Sequence, residues 1–503
     1  MDHPSKKLIN NPNDVVTEFI EGLVETYPGL QYLDGFPDVK VVIRADVSGD
    51  TYDKVAVISG GGSGHEPAHA GFVGEGMLTA AICGDIFASP PVDSILAGIR
   101  AVTGPLGCLL IVKNYTGDRL NFGLAAELAK SEGFKVEMVI VGDDCALPPP
   151  RGIAGRRGLA GTILVHKVAG AAAAAGLSLV EVAAEAKQAS EMVGTMGVAL
   201  SVCTLPGQVP SDRLGPGKME LGLGIHGEPG AAVADIQPVD IVVSHVLKQI
   251  LSQETNYVPI TRGSRVVVMI NGVMKADQTV LKRLDAPTKA PNWPVATDGD
   301  HPPAKIPVPI PPSRSKNNDE PPIRPEQLSP EGHILELAIE AAANELISLR
   351  DNLNEWDGVV GDGDCGSTMF KGASAVLIDL KKCYPLNDPA ETISEIGNSI
   401  RKVMGGTSGI IYNIFIKTAY ADLKANRASA FDAGLAAVSK YGGAKQGYRT
   451  LLDALIPASS FLKEKLAAGV DPVEAFVLSA EAAVAGAEST KKMQAQVTCL
   501  YLS

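Results

Sequence analysis

The sequence predicts an α/β domain followed by an all-helical domain, and three observations carry that prediction. Short β-branched runs, Val55–Ile58, Leu109–Val112 and Val136–Ile140, alternate with Ala-rich helical stretches in the first half, the pattern of a layered fold around a largely parallel sheet. From about Asp298 to Pro330 the chain carries ten prolines among Ser, Lys, Asn and Asp, a composition that favours an extended linker. Beyond it the period changes to helix after helix. These shifts divide the 503 residues into a domain over 1–297, a linker over 298–328 and a helical domain over 329–503.

Within the first domain, 154–189 reads as helix with few interruptions. Ala199–Val202, Met219–Ile225 and Val266–Met269 read as further strands, so this half divides into two α/β subdomains. In the second domain Ser329-Pro330-Glu331 reads as an N-cap with proline at N1. Ile334, Leu335, Ala338, Ile339, Ala342, Leu346 and Leu349 fall on one stripe after it. Asp471-Pro472-Val473-Glu474 reads as a capping box.

The formal charge of -13 argues against nucleic acid or an anionic membrane as the main partner. The seven cysteines lack a CxxC or a regular framework and read as thiols. With no signal-like start and no long apolar span, a soluble, cytoplasmic protein is expected.

The densest chemistry lies at Asp357-Gly-Val-Val-Gly-Asp362-Gly-Asp364. Three carboxylates within eight residues repel one another unless cations neutralise them, and Mg²⁺ commonly joins carboxylates to phosphate oxygens. An Asp/Gly-rich surface turn is the plainer reading. Gly366-Ser367-Thr368-Met369 then opens a helix, where N–H donors and the dipole favour an anion. Two further glycine loops, Gly405-Gly-Thr407-Ser408-Gly409 and Gly442 to Thr450 with Gly447, repeat the phosphate-friendly setting. No G-x-x-x-x-G-K-[ST] is present, which excludes a P-loop, and the aspartate spacing is not that of an EF-hand.

In the first domain Ser59-Gly-Gly61-Gly62-Ser63-Gly64-His65-Glu66-Pro67 follows the strand ending at Ile58, which places backbone and an imidazole at the carboxyl edge of a sheet. Lys113-Asn-Tyr-Thr-Gly-Asp118 follows the next strand, and Gly224-Ile-His226-Gly-Glu228-Pro-Gly230 follows a later one. A cation, a carboxylate and two histidines in such loops suit a small polar substrate bearing a carbonyl and hydroxyls. A structural histidine is the plainer reading of each.

Taken together, GGGSGHEPAHAG, KNYTGDRLNFG, GIHGEPG, GDGDCGSTM and GGTSG resemble the fused ATP-dependent dihydroxyacetone (glycerone) kinases and triokinase/FMN cyclases, over nearly the whole chain. The resemblance implies a helical barrel for the second domain and a homodimer in which one subunit's helical domain serves the other's substrate domain. It implies phosphorylation of dihydroxyacetone and glyceraldehyde, with the ketone held as a hemiaminal on His226. Asp118 would be the base and His65 a further catalytic residue hydrogen-bonded to the substrate, with Lys113 and the backbone of Gly62, Ser63, Gly64 and His65 completing the pocket. Asp357, Asp362 and Asp364 would hold two Mg²⁺, and Gly366, Ser367, Thr368, Met369, Thr407, Ser408 and Gly447 would contact ATP.

Two departures from the family pattern stand out. After Gly272 a unit of roughly forty residues, a strand-helix-strand by length, is missing. Past Gln496 the usual nucleotide-contacting loop and last helix are replaced by Val-Thr-Cys-Leu-Tyr-Leu-Ser. They motivate a catalytically silent isoform as an alternative to the kinase. A FAD-splitting, cyclic-FMN-forming lyase is the other enzymatic alternative.

Overall fold

The computed structural model of the chain describes residues 8–147, 155–204, 206, 213–269, 272–275, 284, 286–292, 308–311, 323–357, 365–425 and 429–493. The chain folds as two compact units, one built from residues up to 314 and the other from 315 onward.

The first unit is organised by a six-stranded sheet of order β1-β2-β4-β3-β5-β6. Its strands are β1 (Leu30–Tyr32), β2 (Val41–Arg44), β3 (Ala56–Ser63), β4 (Ala80–Ile86), β5 (Cys108–Lys113) and β6 (Val136–Val141). β4-β3-β5-β6 pair in parallel, whereas β1 with β2 and β2 with β4 are antiparallel, so the sheet is mixed rather than uniformly parallel. The β-branched runs match their strands because both faces are covered, which removes the alternation expected of a half-exposed strand. Val57, Leu109 and Ile111 pack with α1 (Val15–Thr26), α4 (Thr162–Ala174) and α5 (Leu179–Met192). On the other face Ile82 meets Gly98 of α2 (Val92–Val102), and Gly60 meets Phe122 of α3 (Thr116–Ser131). Each fully buried aliphatic side chain contributes about 1.5–3 kcal/mol.

Three sequence expectations are corrected. β3 does not stop at Ile58 but runs through Gly60, Gly61 and Gly62 to Ser63, with an irregular register against β4 between Gly61 and Ser63. The glycines permit this: a β-carbon on Gly60 would lie 2.2 Å from the Ile82 carbonyl oxygen. Within the 154–189 stretch helix begins only at Thr162, and α4 and α5 are separated at Gly176 (φ +82°), with a capping box between Ser178 and Glu181 opening α5. The predicted strands at Ala199–Val202 and Met219–Ile225 shorten to β8 (Val198–Ala199) and β9 (Lys218–Leu221).

β9 lies between β8 and β10 (Ala232–Asp235) in one three-stranded sheet. β7 (Val193–Gly194), β11 (Val266–Met269) and β12 (Gly272–Lys275) form another, and α6 spans Val239–Ile250. β11 turns back on β12 with Met269 opposite Gly272, where the missing unit was inferred. Val239, Ile241, Val243 and Leu247 of α6 and Val266 and Val268 of β11 are exposed, an uncommon concentration of aliphatic surface.

The second unit is helical throughout its described residues: α7 (Pro330–Ser348), α8 (Arg350–Asp357), α9 (Cys365–Lys382), α10 (Pro389–Val403), α11 (Gly406–Lys424), α12 (Ala430–Gly442), α13 (Leu452–Ala467) and α14 (Pro472–Ser489). From α8 onward each helix packs on the next, the connectivity that an up-and-down helical barrel requires. The N-caps follow the sequence: Ser329 accepts from Gly332 N–H, and Asp471 accepts from Val473 and Glu474 N–H. Of the α7 stripe, Leu335 and Ile339 pack against Val376, Leu380 and Tyr384, while Ile334 is exposed.

Two glycine substitutions of opposite sign test this packing. Gly60→Ala forces a β-carbon into the β4 backbone and is expected to lower stability by about 1–3 kcal/mol. Gly22→Ala, within α1 and with nothing near its added carbon, is expected to raise it by about 0.5–1 kcal/mol. Calorimetric unfolding of the two variants beside the parent chain measures both.

Candidate active site

Extension of β3 carries its glycines past the sheet body, and β5 ends beside them at Lys113, so the two loops share the carboxyl edge. Lys113 is 2% exposed and its Nζ lies 2.7 Å from His65 Nε2. An ammonium only donates, so His65 Nε2 is the acceptor. Burial, together with the Lys113 and His226 charges, pushes His65 down to about 3, which keeps the ring neutral. Burial also lowers Lys113, to about 8, against the opposing pull of Asp118, Asp143, Glu228 and Glu66.

Asp118 occupies the first turn of α3 and is almost wholly buried. Burial pushes its carboxyl above the ordinary range, although the Lys113 charge and a 2.6 Å hydrogen bond donated by Ser89 Oγ oppose the rise. A buried carboxylate of raised basicity beside a lysine is the setting of a general base.

The third loop arrives from the small sheet. β9 and β10 pair with Leu221 opposite Ala232, and the connection between them bears His226. Arg157 holds this connection: its guanidinium pairs with buried Asp144 at 2.7 Å and donates to the carbonyls of Gly222 at 2.7 Å and Pro229 at 3.3 Å. The His226 ring therefore stands among Phe87, Tyr115 and His65, with centroid separations of 4.9, 4.8 and 6.1 Å. Glu228 lies 2.9 Å from His226 Nδ1 and accepts from its backbone N–H at 3.0 Å. Burial would raise Glu228, but the hydrogen bonds donated by the ring and backbone of His226 outweigh it and hold the carboxyl at about 2. An ionised Glu228 fixes the proton on Nδ1 and leaves Nε2 with its lone pair.

Some expected contacts serve the scaffold instead. Ser63 Oγ donates to the Gly84 carbonyl at 2.8 Å, and Gly64 N–H donates to Glu66, so these groups shape the loop. Gly62 sits against the backbone of Phe87 and Ala88. Glu228, Ser89, Phe87 and Tyr115 are site residues that the sequence reading did not single out. The His-Gly-Glu spacing was the available signal for Glu228 and the Lys113 loop for Tyr115, whereas Ser89 and Phe87 reach the site only through the fold.

In the helical unit the start of α9 is tied to α8: Asn354 Oδ1 accepts from Ser367 N–H at 2.9 Å, and Asn354 Nδ2 donates to Ser367 Oγ at 3.0 Å. Gly366 is buried against the Arg350 carbonyl. Tyr412 of α11 interacts electrostatically with Cys365, so the starts of α9 and α11 are neighbours. No side chain caps α11, whose first residues include Thr407 and Ser408, and nothing stands over Gly405 or Gly406. The third loop is clasped by buried Asp453, which accepts from Gly447 N–H and, at 2.7 Å, from Thr450 N–H. Space is open over Gly447 as well. Thr368 and Met369 lie half-buried in the first turns of α9. Asp362 and Asp364 lie outside the described residues, as does the side chain of Asp357, which closes α8.

Among the described residues the cysteines are free thiols, and no helix is long and apolar enough to cross a membrane. The Dak1 domain matches residues 21–286 and the DAK2 domain residues 359–498. A tomato (Solanum lycopersicum) protein provisionally named 3,4-dihydroxy-2-butanone kinase is 73% identical, across 99% of this chain and 93% of its own. The aligned stretch runs to 553 positions, longer than this chain, so the relative carries a substantial segment with no counterpart here. The mouse (Mus musculus) triokinase/FMN cyclase is 40% identical across 98% of this chain and 93% of its own. The crystal structure of the C. freundii dihydroxyacetone kinase with AMP-PNP and Mg²⁺ superposes with a TM-score of 0.53 at 37% identity, covering 98% of this chain and 97% of that one. A chain that carries both domains in this order, with relatives this close along its length, belongs to the dihydroxyacetone kinase family.

Proposed function

We propose that this protein transfers the γ-phosphoryl group of ATP to dihydroxyacetone, and also to glyceraldehyde. The observation that carries the reading is the convergence of His226, Lys113 with His65, and Asp118 at one sheet edge. His226 Nε2 adds to the substrate carbonyl carbon as the C=O π bond opens onto oxygen, that oxygen takes up a proton from solvent, and Glu228 balances the positive charge left on the ring. A polyol has no carbonyl to capture, so the same step selects against it. Asp118 accepts the proton of a terminal hydroxyl as its oxygen attacks the γ-phosphorus and the bond to the β-γ bridging oxygen breaks. Lys113 supplies the compensating positive charge.

The nucleotide falls to the helical unit. The open space over Gly405, Gly406 and Gly447 and the uncapped start of α11 fit an anionic ligand. Asp357, Asp362 and Asp364 are the groups to hold two Mg²⁺, in a connection whose ends are anchored on the packed pair α8 and α9. Those ions supply charge neutralisation on the phosphates. A homodimer in the cytoplasm is part of the same proposal.

Two other readings have a specific motive. The mouse relative is named for FMN cyclase as well as triokinase, which favours a FAD-splitting lyase activity of the helical unit. The segment absent here, with the exposed aliphatic surface of α6 and β11, favours a catalytically silent form.

A coupled assay of ATP consumption with dihydroxyacetone is expected to show turnover that Asp362→Ala abolishes. FAD with Mn²⁺ in a parallel arm separates the lyase, and a folded chain inert in both arms supports the silent form. Asp118→Asn is expected to lower kcat by about 10²–10⁴ while leaving the KM for ATP unchanged. The pH profile of kcat/KM for the triose should fall above pH about 8, because Lys113 is charged below that value and loses its proton above it. Its acid limb should lie above the ordinary carboxylate range, since Asp118 must be ionised to act. A profile flat through the alkaline region contradicts the role given to Lys113.

A further inference from the structure

Behind the pocket lies a buried group that the reaction above does not use: Ser59, His69 and His166, all at most 4% exposed. Ser59 Oγ makes three contacts, to the Ile111 carbonyl at 2.7 Å, to His166 Nε2 at 3.1 Å and to His69 Nδ1 at 3.4 Å. A hydroxyl has one hydrogen and two lone pairs. The short contact to a carbonyl, which can only accept, takes the hydrogen. Both imidazoles must then donate to Ser59, and His69 carries its proton on Nδ1. Its Nε2 is left as a bare acceptor, and no hydrogen-bond partner meets it.

That unpartnered nitrogen faces the candidate site. A β-carbon placed on Gly61 would lie 3.4 Å from Asp118 Oδ2, 3.6 Å from Lys113 Cε and 3.7 Å from His69 Nε2. The space over Gly61 is therefore bounded by the proposed base, the stem of the proposed cation and the orphan acceptor. Burial, with the nearby Lys113 charge, keeps His69 well below the ordinary histidine range, so the acceptor stays unprotonated at neutral pH. A buried acceptor without a partner is costly and points to a group that arrives from outside.

We infer that His69 is a substrate-binding residue, whose Nε2 accepts a hydrogen bond from a hydroxyl of the bound hydroxyketone in the space over Gly61. The inference rests on the triose reading of the same site. Ser59 acts as a positioning residue, because it alone dictates which His69 nitrogen is bare.

Two variants separate binding from scaffolding, since an Asn amide overlays the Nδ1 position of histidine and a Gln amide overlays Nε2. His69→Asn keeps the bond to Ser59 and loses the acceptor; it is expected to raise the KM for dihydroxyacetone about tenfold or more, with the KM for ATP unchanged. His69→Gln returns an acceptor and should recover most of that loss. Equal KM values in the two variants, or an Asn variant closer to the parent, would overturn the inference in favour of a scaffolding role. Should neither variant fold, selective ¹⁵N-histidine NMR of the unaltered protein decides. An unprotonated Nε2 resonance, lost in a His69 substitution or assigned through its ring couplings, should shift upfield on saturation with dihydroxyacetone, and an unmoved resonance overturns the inference. Turnover of dihydroxyacetone by the unaltered protein tests the triose reading separately, so failure of one is not mistaken for failure of the other.

Discussion

The candidate active site depends on one buried ion pair, Arg157 with Asp144. Asp144 is 1% exposed, and the guanidinium that neutralises it also grips two carbonyls of the connection carrying His226. The planar fork suits this role, because several N–H groups leave one rigid plane in different directions. Without it the ten-residue span between two short strands would keep only its hydrogen bonds within the small sheet, such as Arg213 to the Gly227 carbonyl and Gly230 N–H to Glu220. The neighbouring Asp143 does similar duty, accepting from Leu159 N–H, Gly161 N–H and Thr195 Oγ. Consecutive aspartates thus fasten the small sheet and the start of α4 to the end of β6.

With the loops in place, the electrostatics follow from burial. The pocket holds one strong cation, Lys113, and the imidazoles His65, His69 and His166 are all pushed toward neutrality by their surroundings. Neutral imidazoles accept or add through a lone pair, whereas protonated ones cannot. His226 differs in having an ionised carboxylate on one nitrogen, which turns its other nitrogen into the one with a free lone pair. Four histidines in one region thereby take distinct hydrogen-bonding states from their partners alone.

Much of this was legible in the sequence, for identifiable reasons. Residues whose roles depend on their own loop, such as Lys113, Asp118, His65 and His226, are marked by glycines and by the strand that precedes them. Residues whose roles depend on distant elements are not marked: Ser89 reaches Asp118, Arg157 reaches Gly222, and His166 reaches Ser59 from a helix more than a hundred positions away. The secondary-structure reading differs from the fold where glycine plays either of its two parts, continuing a strand or breaking a helix. At Gly60 to Gly62 the glycines continue the strand because no side chain fits against β4, and at Gly176 a break was overlooked although Ser178 and Glu181 spell the next capping box. The helical unit was legible in its caps. The loops proposed for the nucleotide were legible as glycine runs, but not the clasp of Asp453 on Gly447.

The exposed aliphatic residues of α6 and β11 bear on how the molecule behaves as a solute. Val239, Ile241, Val243, Leu247, Val266 and Val268 each keep two-fifths or more of their surface in water. Every square ångström of such surface costs about 25 cal/mol relative to burial. Encounters that cover it scale with the square of concentration, whereas folding within one chain does not. Self-association through these residues is therefore expected to grow with concentration, independently of the residues of the candidate active site.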